Sequence, residues 1–355
     1  MEPATPSSSS ETTIPFRQRL LPAPRGMGFR QEGYWVWCGS AVRGEDGRYH
    51  LFASRWPKKY PFFHGYLAAS EVVRASADSP LGPYAFEEVV LPARGAQWWD
   101  GRATHNPFIL RFGDEYLLFY IGLTYEGPTP SAETMDRLRS KPEGNGEIFP
   151  WYFSIRIGMA RSPSVFGPWR RPERPSFDVN PEGWDNTVVT NPAPALSAQG
   201  EILLYYRSAG AKLGLAKAPG PDEPFVRQGG GPVVDPGEGL RIEDPFVWWA
   251  GDRYEMVCKD LTGKIVGEFH AAIHMHSPDG MDWRLTPEPK AWSRTLLWDD
   301  GTEATMGSIE RPYILFEDGR PVCLFAAMAD GPGPRDGRPG FYYAENTWCQ
   351  AIPLG

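Results

Sequence analysis

The sequence predicts an all-β fold, a five-bladed β-propeller with four antiparallel strands per blade. Three observations carry that expectation: a repeated hairpin unit, a repeated turn after it, and a composition rich in turn formers. The first unit is an X-Pro step, an apolar run, a Gly turn and a second apolar run. It occurs at Asn106-Pro107, Asn191-Pro192, Asp244-Pro245 and Arg311-Pro312. A degenerate fifth copy opens the series, with Trp37-Cys38-Gly39-Ser40 in the X-Pro place and Asp46-Gly47 at the turn. Apolar runs flanking such turns read as β-hairpins, and proline at the first residue of a strand gives up no ladder donor.

After the hairpins come turns of one type, as in Asp78-Ser79-Pro80 to Gly82-Pro83-Tyr84, Ser162-Pro163 to Gly167-Pro168-Trp169, and Ser277-Pro278-Asp279-Gly280 to Trp283. The aromatic after each turn starts an outer strand, which completes four strands per unit and five units. Gly 39 and Pro 37 in 355 residues fit a chain of many tight turns, and no helical period persists. Residues 1–28 read as a disordered tail and lead-in, and residues 29–355 as one propeller domain. The longest insertion, from Leu123 to about Trp151, carries a short helical pattern around residues 131–138. Its segment 124–150 is expected to border the site and to be more mobile than the blades.

Composition excludes several function classes. The net charge is −8 and no basic run exists, which argues against a nucleic-acid partner. No apolar run of about 18 residues is present to span a membrane. The first residues, MEPATPSSSSETTIPF, lack the basic and apolar regions of a signal peptide. Cys38, Cys258, Cys323 and Cys349 show neither close pairing nor zinc spacing, which fits free thiols in a cytoplasmic protein. No cofactor and no metal are expected; the oligomeric state is not readable.

In a propeller the innermost strands start beside the axis. The X-Pro residue and the one before it should therefore converge from five blades, giving two columns: Trp37-Cys38, His105-Asn106, Thr190-Asn191, Glu243-Asp244 and Glu310-Arg311. Ionisable groups in such columns are costly to bury without partners or a ligand. Loops on the same face offer Arg55, Trp56, His64, Arg207, Lys212, Lys259 and His270. Trp99-Asp100 and Trp184-Asp185 recur just upstream of two inner strands, as turn residues or as further site carboxylates.

The X-Pro steps, the Asp-Gly-Arg-Tyr turn at residues 46–49 and the Ser-Pro…Gly-Pro-Trp turn at residues 162–169 resemble the five-bladed propeller glycosidases, including glycoside hydrolase families 43, 32, 68 and 117. The resemblance spans about Gly33 to Trp348. It implies a carbohydrate substrate and a glycosidase in which an acid protonates the leaving oxygen and a second carboxylate acts on the anomeric carbon or on water. The first-blade Asp-Pro of those families is replaced here by Cys38-Gly39, so a divergent member is implied. The middle-blade Asp-Pro is matched by Asp244-Pro245, and the Glu acid in type by Glu243 or Glu310.

The catalytic candidates are accordingly Asp244, Glu310, Glu243 and Asp100, with Glu310 as acid, Asp244 ionised in a positioning or pKa-controlling role, and Asp100 as replacement for the missing first-blade Asp. The substrate-binding candidates are His105, Asn106, Trp37, Arg207, Asn191, Arg311, His270 and Trp99. Two rival readings remain: a glycoside phosphorylase whose phosphate meets Arg207, Lys212, Arg311 and His270, and a non-catalytic carbohydrate-binding propeller.

Overall fold

A computed structural model of the protein describes residues 14–139, 148–332 and 340–355. It is a five-bladed β-propeller. Blade I holds β1 (Tyr34–Arg43), β2 (Tyr49–Pro57), β3 (Glu71–Ala77) and β4 (Ala85–Leu91); blade II holds β5 (Ala103–Phe112), β6 (Glu115–Leu123) and β7 (Arg156–Ser162). Blade III holds β8 (Thr190–Leu196), β9 (Ile202–Ser208), β10 (Lys212–Ala218) and β11 (Val226–Arg227); blade IV holds β12 (Ile242–Trp249), β13 (Tyr254–Asp260), β14 (Ala272–Ser277) and β15 (Arg284–Trp292). A small hairpin, β16 (Thr295–Leu297) and β17 (Glu303–Thr305), leads into blade V, made of β18 (Ser308–Glu317), β19 (Arg320–Ala329) and β20 (Thr347–Pro353). The innermost strands β1, β5, β8, β12 and β18 pack side by side in that order, and β18 returns to β1 to close the ring.

Blades II and V depart from the expected four strands. In blade II the outer strand shrinks to single bridges, Arg161 with Arg170 and Ile157 with Phe177. Pro172 and Pro175 interrupt that segment and cannot donate to a ladder. In blade V the outer place is taken by the lead-in: Phe29 and Cys349 exchange backbone hydrogen bonds of 2.8 and 3.0 Å. The first and last parts of the described chain thus meet on one blade and fasten the ring. Farther out, the lead-in is anchored by Phe16, which is buried against Trp248, His274 and Trp292.

One irregularity is repeated five times. Each inner strand carries one extra residue against its partner, at Trp37 to Ser40, His105 to Phe108, Thr190 to Ala193, Glu243 to Phe246 and Glu310 to Tyr313. The first extra residue is left-handed in every blade: Cys38 (φ 60°), Asn106 (53°), Asn191 (51°), Asp244 (58°) and Arg311 (55°). Asn and Asp tolerate this region because their short polar side chains bond locally, whereas Cys and Arg carry a cost of about 1–2 kcal/mol there. A bulge bends its strand and re-aims a side chain, and here it turns five polar side chains onto one axis. The expected convergence of the two columns is what the structure shows.

Helix α1 (Phe62–Ala69) fills the β2–β3 connection of blade I, and the insertion after β6 forms α2 (Ala132–Arg139) and α3 (Phe149–Phe153). All four cysteines are buried and unpaired, and no helix among the described residues is long and apolar enough to cross a membrane. Phe16 gives the first test. Phe16→Ala should lower unfolding stability by about 3 kcal/mol, read from urea midpoints at constant m-value, because it removes the aromatic plug between the lead-in and blade IV.

Candidate active site

Above the ring of left-handed residues lies a cavity of about 640 Å³. Its floor is built from the first column, Trp37, His105, Thr190, Glu243 and Glu310, together with Asn106, Asn191 and Arg311 of the second. Cys38 and Asp244 sit one layer lower, in the narrow channel that continues down the axis. The walls combine aromatic side chains, Trp56 from β2, Phe62, Phe63, His64 and Tyr66 from α1, Tyr152 and Phe153 from α3, and Phe341 from the loop before β20, with aliphatic and small residues of blades II and III. Of the expected lid, residues 124–150, Ile148 lines the cavity, and residues 140–147 lie outside the described residues.

The floor is held by a ring of polar contacts. Cys38 Sγ lies 2.9 Å from the Asn106 side-chain amide, and the Asn106 and Asn191 amides are 3.2 Å apart. Asn191 donates to Asp244 Oδ1 at 2.8 Å, and Arg311 Nε lies 3.0 Å from the same oxygen. The Arg311 guanidinium faces Asn106 with two donors, which fixes the amide oxygen on that side at 2.9 and 3.1 Å and leaves the amide nitrogen donating to His105 Nε2 at 3.1 Å. His105 Nδ1 is 2.8 Å from Ser70 Oγ. Burial, helped by Arg311, pushes the His105 pKa well below its ordinary value, so the ring is neutral. Burial likewise pushes the Cys38 thiol up to about 12. This is a neutral structural thiol, opposite in character to the carboxylate that the resemblance places there.

The charged centre is on the blade IV and V side. One carboxylate oxygen each from Glu243, Asp244 and Glu310 lies within 4.8 Å of the other two. Such a trio could hold a metal ion, but Lys259 Nζ occupies its middle, 2.5 Å from Glu243, 2.6 Å from Glu310 and 3.2 Å from Asp244. Arg207 Nε is 3.3 Å from Glu243 and its Nη1 donates to Tyr152 at 2.7 Å. Three carboxylates thus meet three cations, Lys259, Arg207 and Arg311, and the cluster is charge-balanced when all are ionised. Glu310 also accepts from Ser308 and lies 3.0 Å from His270 Nδ1.

Burial alone would raise all three carboxyl pKa values. For Glu243 the Lys259, Arg207 and Arg311 charges overcome burial and hold it at about 2. Glu310 is driven well below the carboxylate range against the same burial, by Lys259 and by the His270 contact. Asp244, wholly enclosed, stays above its ordinary value because burial outweighs Arg311 and Lys259. This reverses the expected assignment. Glu310, the sequence's candidate acid, is ionised in the free protein, and Asp244, the expected anion, is the group whose neutral form burial favours.

Of the expected substrate contacts, Trp37, His105, Asn106, Asn191, Arg207 and Arg311 line the cavity. His270 does not; it is buried behind Glu310 and positions it. Asp100 and Trp99 do not reach the cavity either. Asp100 is fully buried among Arg94, Arg171 and Tyr120, with pair distances of 2.6, 2.6 and 2.7 Å, and Trp99 stacks on Tyr120. Asp185 repeats this one blade on, with Arg227 at 2.7 Å, Tyr206 at 2.9 Å and Trp184 stacked on Tyr206. The recurrent Trp-Asp step is a lock on the inter-blade connection. The sequence offers Lys259 as a loop residue on the site's face but not as a site candidate, whereas it lies on β13. Its signal is register: with one extra residue in β12, Lys259 falls directly opposite Glu243.

No family model and no curated protein matches the sequence. Solved structures do match. One, a glycoside hydrolase, superimposes with TM-score 0.66 at 14% identity, covering 95% of this protein and 93% of its own length. Zg3597, a family 117 glycoside hydrolase produced by the marine bacterium Zobellia galactanivorans, gives 0.60 at 14%, covering 95% and 88%. The native Bacillus subtilis arabinanase Arb43A gives 0.55 at 12%, covering 90% and 94%. The protein has the fold of the five-bladed propeller glycosidases. At these identities the likeness is one of fold, and the chemistry rests on the residues.

Two tests follow from the charges. Asp100→Asn should cost about 3 kcal/mol of stability, since it strips the charge that two arginines share, while the activity per folded molecule stays near wild type. The second is a pH test. Glu243 has a folded pKa of about 2 against an ordinary 4.5, so its stabilisation is complete above about pH 4.5 and is lost as the pH falls toward 2. Glu310 acts in the same direction; Asp244, with a raised pKa, opposes it as the pH rises. Lys259→Met should flatten the acid limb of stability against pH and lower stability at neutral pH, as followed by urea unfolding from pH 2 to 7.

Proposed function

We propose that the protein is a glycoside hydrolase that cleaves a glycosidic bond in an oligosaccharide within the axial cavity. The observation that carries this reading is the pair Glu243 and Glu310: two carboxylates on adjacent blades, facing one aromatic-walled cavity and tied to one ammonium. A cavity of this size lies in the usual range for small-ligand sites, and aromatic walls cover the apolar faces of a sugar ring. No such pair is needed to close the ring, which the second column already does.

The roles follow from partners and exposure. Glu243 and Glu310 are both ionised in the free protein, and Glu310, 4% exposed and fixed by Lys259, His270 and Ser308, is the more rigidly held, suited to act on the anomeric carbon. Glu243 is the more open of the two, with its side chain 17% exposed. For it to protonate the leaving oxygen, a seated sugar must both displace its remaining water and draw it off Lys259 and Arg207, which together hold it ionised in the free protein. Asp244 lies below the floor and shares Lys259 with both, so it sets their charge without touching substrate.

The phosphorylase reading loses support. Of its four phosphate candidates, Lys212 pairs with Asp235 at 2.6 Å outside the cavity lining, and His270 is shut behind Glu310. Four unpaired buried cysteines support a reducing compartment, the cytoplasm. The deciding experiment is hydrolysis of a panel of aryl glycosides and oligosaccharides by wild type, Glu243→Gln and Glu310→Gln. Each variant should lose on the order of 10²–10⁴ in rate. The Glu243→Gln loss should shrink on substrates with acidic phenol leaving groups, which need no protonation, while the Glu310→Gln loss should not. Full turnover by both variants would place the chemistry elsewhere.

A further inference from the structure

Arg241 is a charged residue of the cavity lining that the proposed mechanism leaves unused. It lies just before β12, two residues from Glu243, so both side chains stand on the same face of the extended chain. Its backbone is fixed by a 3.0 Å hydrogen bond from Leu261 to its carbonyl. Arg207 and Arg311, the other arginines of the lining, each face a carboxylate, Glu243 and Asp244. Arg241 has no acidic partner and no side-chain hydrogen bond among the described residues, and it is exposed.

The charge balance makes that unpaired cation informative. Glu243, Asp244 and Glu310 are neutralised by Lys259, Arg207 and Arg311. The other ionisable lining residues include His64 and His105, which burial keeps neutral, His64 with its pKa lowered to about 4. With the three carboxylates ionised, Arg241 is therefore a surplus cation among the described residues of the lining, on a protein whose net charge is −8. On the blade I side, two further groups of the lining lack polar partners: Trp56 Nε1 and His64 Nδ1 are buried and make no hydrogen bond among the described residues. Trp56 is 1% exposed, so its indole N–H can be satisfied only from within the cavity wall or by a bound molecule.

We propose that the site takes an anionic sugar, a glycoside bearing a carboxylate or a sulfate ester, whose charged group is met by Arg241 while its hydroxyls meet the blade I side. This rests on the glycosidase reading for the fate of the sugar but not for its binding. A guanidinium pairs with planar or tetrahedral oxyanions through two parallel N–H donors, which gives orientation as well as attraction. The placement beside Glu243 puts the anion near the leaving-group side of the reacting bond.

Binding measured by calorimetry separates this proposal from catalysis. The probes are methyl glucuronide and methyl galacturonide, glucose 6-sulfate, the neutral methyl glucoside and galactoside, and inorganic phosphate and sulfate as free anions. At least one acidic sugar should bind roughly tenfold or more tightly than its neutral counterpart, as expected for a hydrogen bond to a charged group. Arg241→Gln should erase that preference, Arg241→Lys should keep part of it, and added salt should weaken it. A carboxylate preference and a sulfate preference distinguish the two sources of the charge. Neutral sugars binding as well as acidic ones, no binding by any acidic sugar, or an unchanged preference in Arg241→Gln would each overturn the proposal. Free phosphate or sulfate binding as tightly as the acidic sugars would overturn it too, since charge alone would then be recognised. Acidic sugars that bind without being cleaved would leave this inference standing and remove the hydrolase reading instead.

Discussion

A left-handed residue followed by one extra strand position, repeated in all five blades, is the constraint from which the site grows. A regular inner strand would alternate its side chains between the two faces of its own blade. The bulge breaks that alternation at one point and turns consecutive residues toward the axis. The residue before the bulge faces the cavity, and the bulged residue closes the channel beneath. The fold thereby supplies ten convergent side chains at fixed depth without any loop having to place them. The backbone cost is met locally at Asn106, Asn191 and Asp244, whose polar side chains suit that conformation; at Cys38 and Arg311 it is met by ring contacts.

The electrostatics follow from where Lys259 sits. Three buried carboxylates close together repel one another, and burial favours their neutral forms. One ammonium within 3.2 Å of all three reverses that for the two that face the cavity. The lysine fills the position a bound cation would otherwise occupy, and it does so from the strand opposite Glu243, so the charge is built into the hairpin register. His270 and Ser308 then hold Glu310 in one orientation.

The fold was legible because its signals are local. X-Pro steps, Gly turns and paired apolar runs each report backbone geometry within a few residues, and five copies leave little choice of architecture. The axial columns were legible for the same reason, since blade geometry dictates which residues converge. What escaped was the difference between two kinds of buried carboxylate. Asp100 and Glu310 both precede or open an inner strand, yet Asp100 is closed in by Arg94, Arg171 and Tyr120, two of which lie in other segments of the chain. Nothing near Asp100 in sequence announces Arg171. Lys259 was hidden by a one-residue bulge, because an unbulged hairpin would have put another residue opposite Glu243. The missing fourth strand of blade II turned on two prolines whose effect depends on ladder position.

Cys38 shows why the charge is lopsided. With an uncharged thiol in the first-blade position, the blade I and II side of the axis carries no anion: Cys38, His105 and Asn106 are all neutral. Arg311 faces that side as well as Asp244, and its attraction to the Asn106 oxygen draws the guanidinium across the axis. The carboxylates are therefore confined to blades IV and V, and the neutral half is left to shape, aromatic surface and hydrogen bonding. The cavity is thus divided into a charged half and an uncharged half. On the proposed hydrolase reading, that division orients the substrate, with its reacting bond toward Glu243 and Glu310 and its ring toward the aromatic lining of blade I.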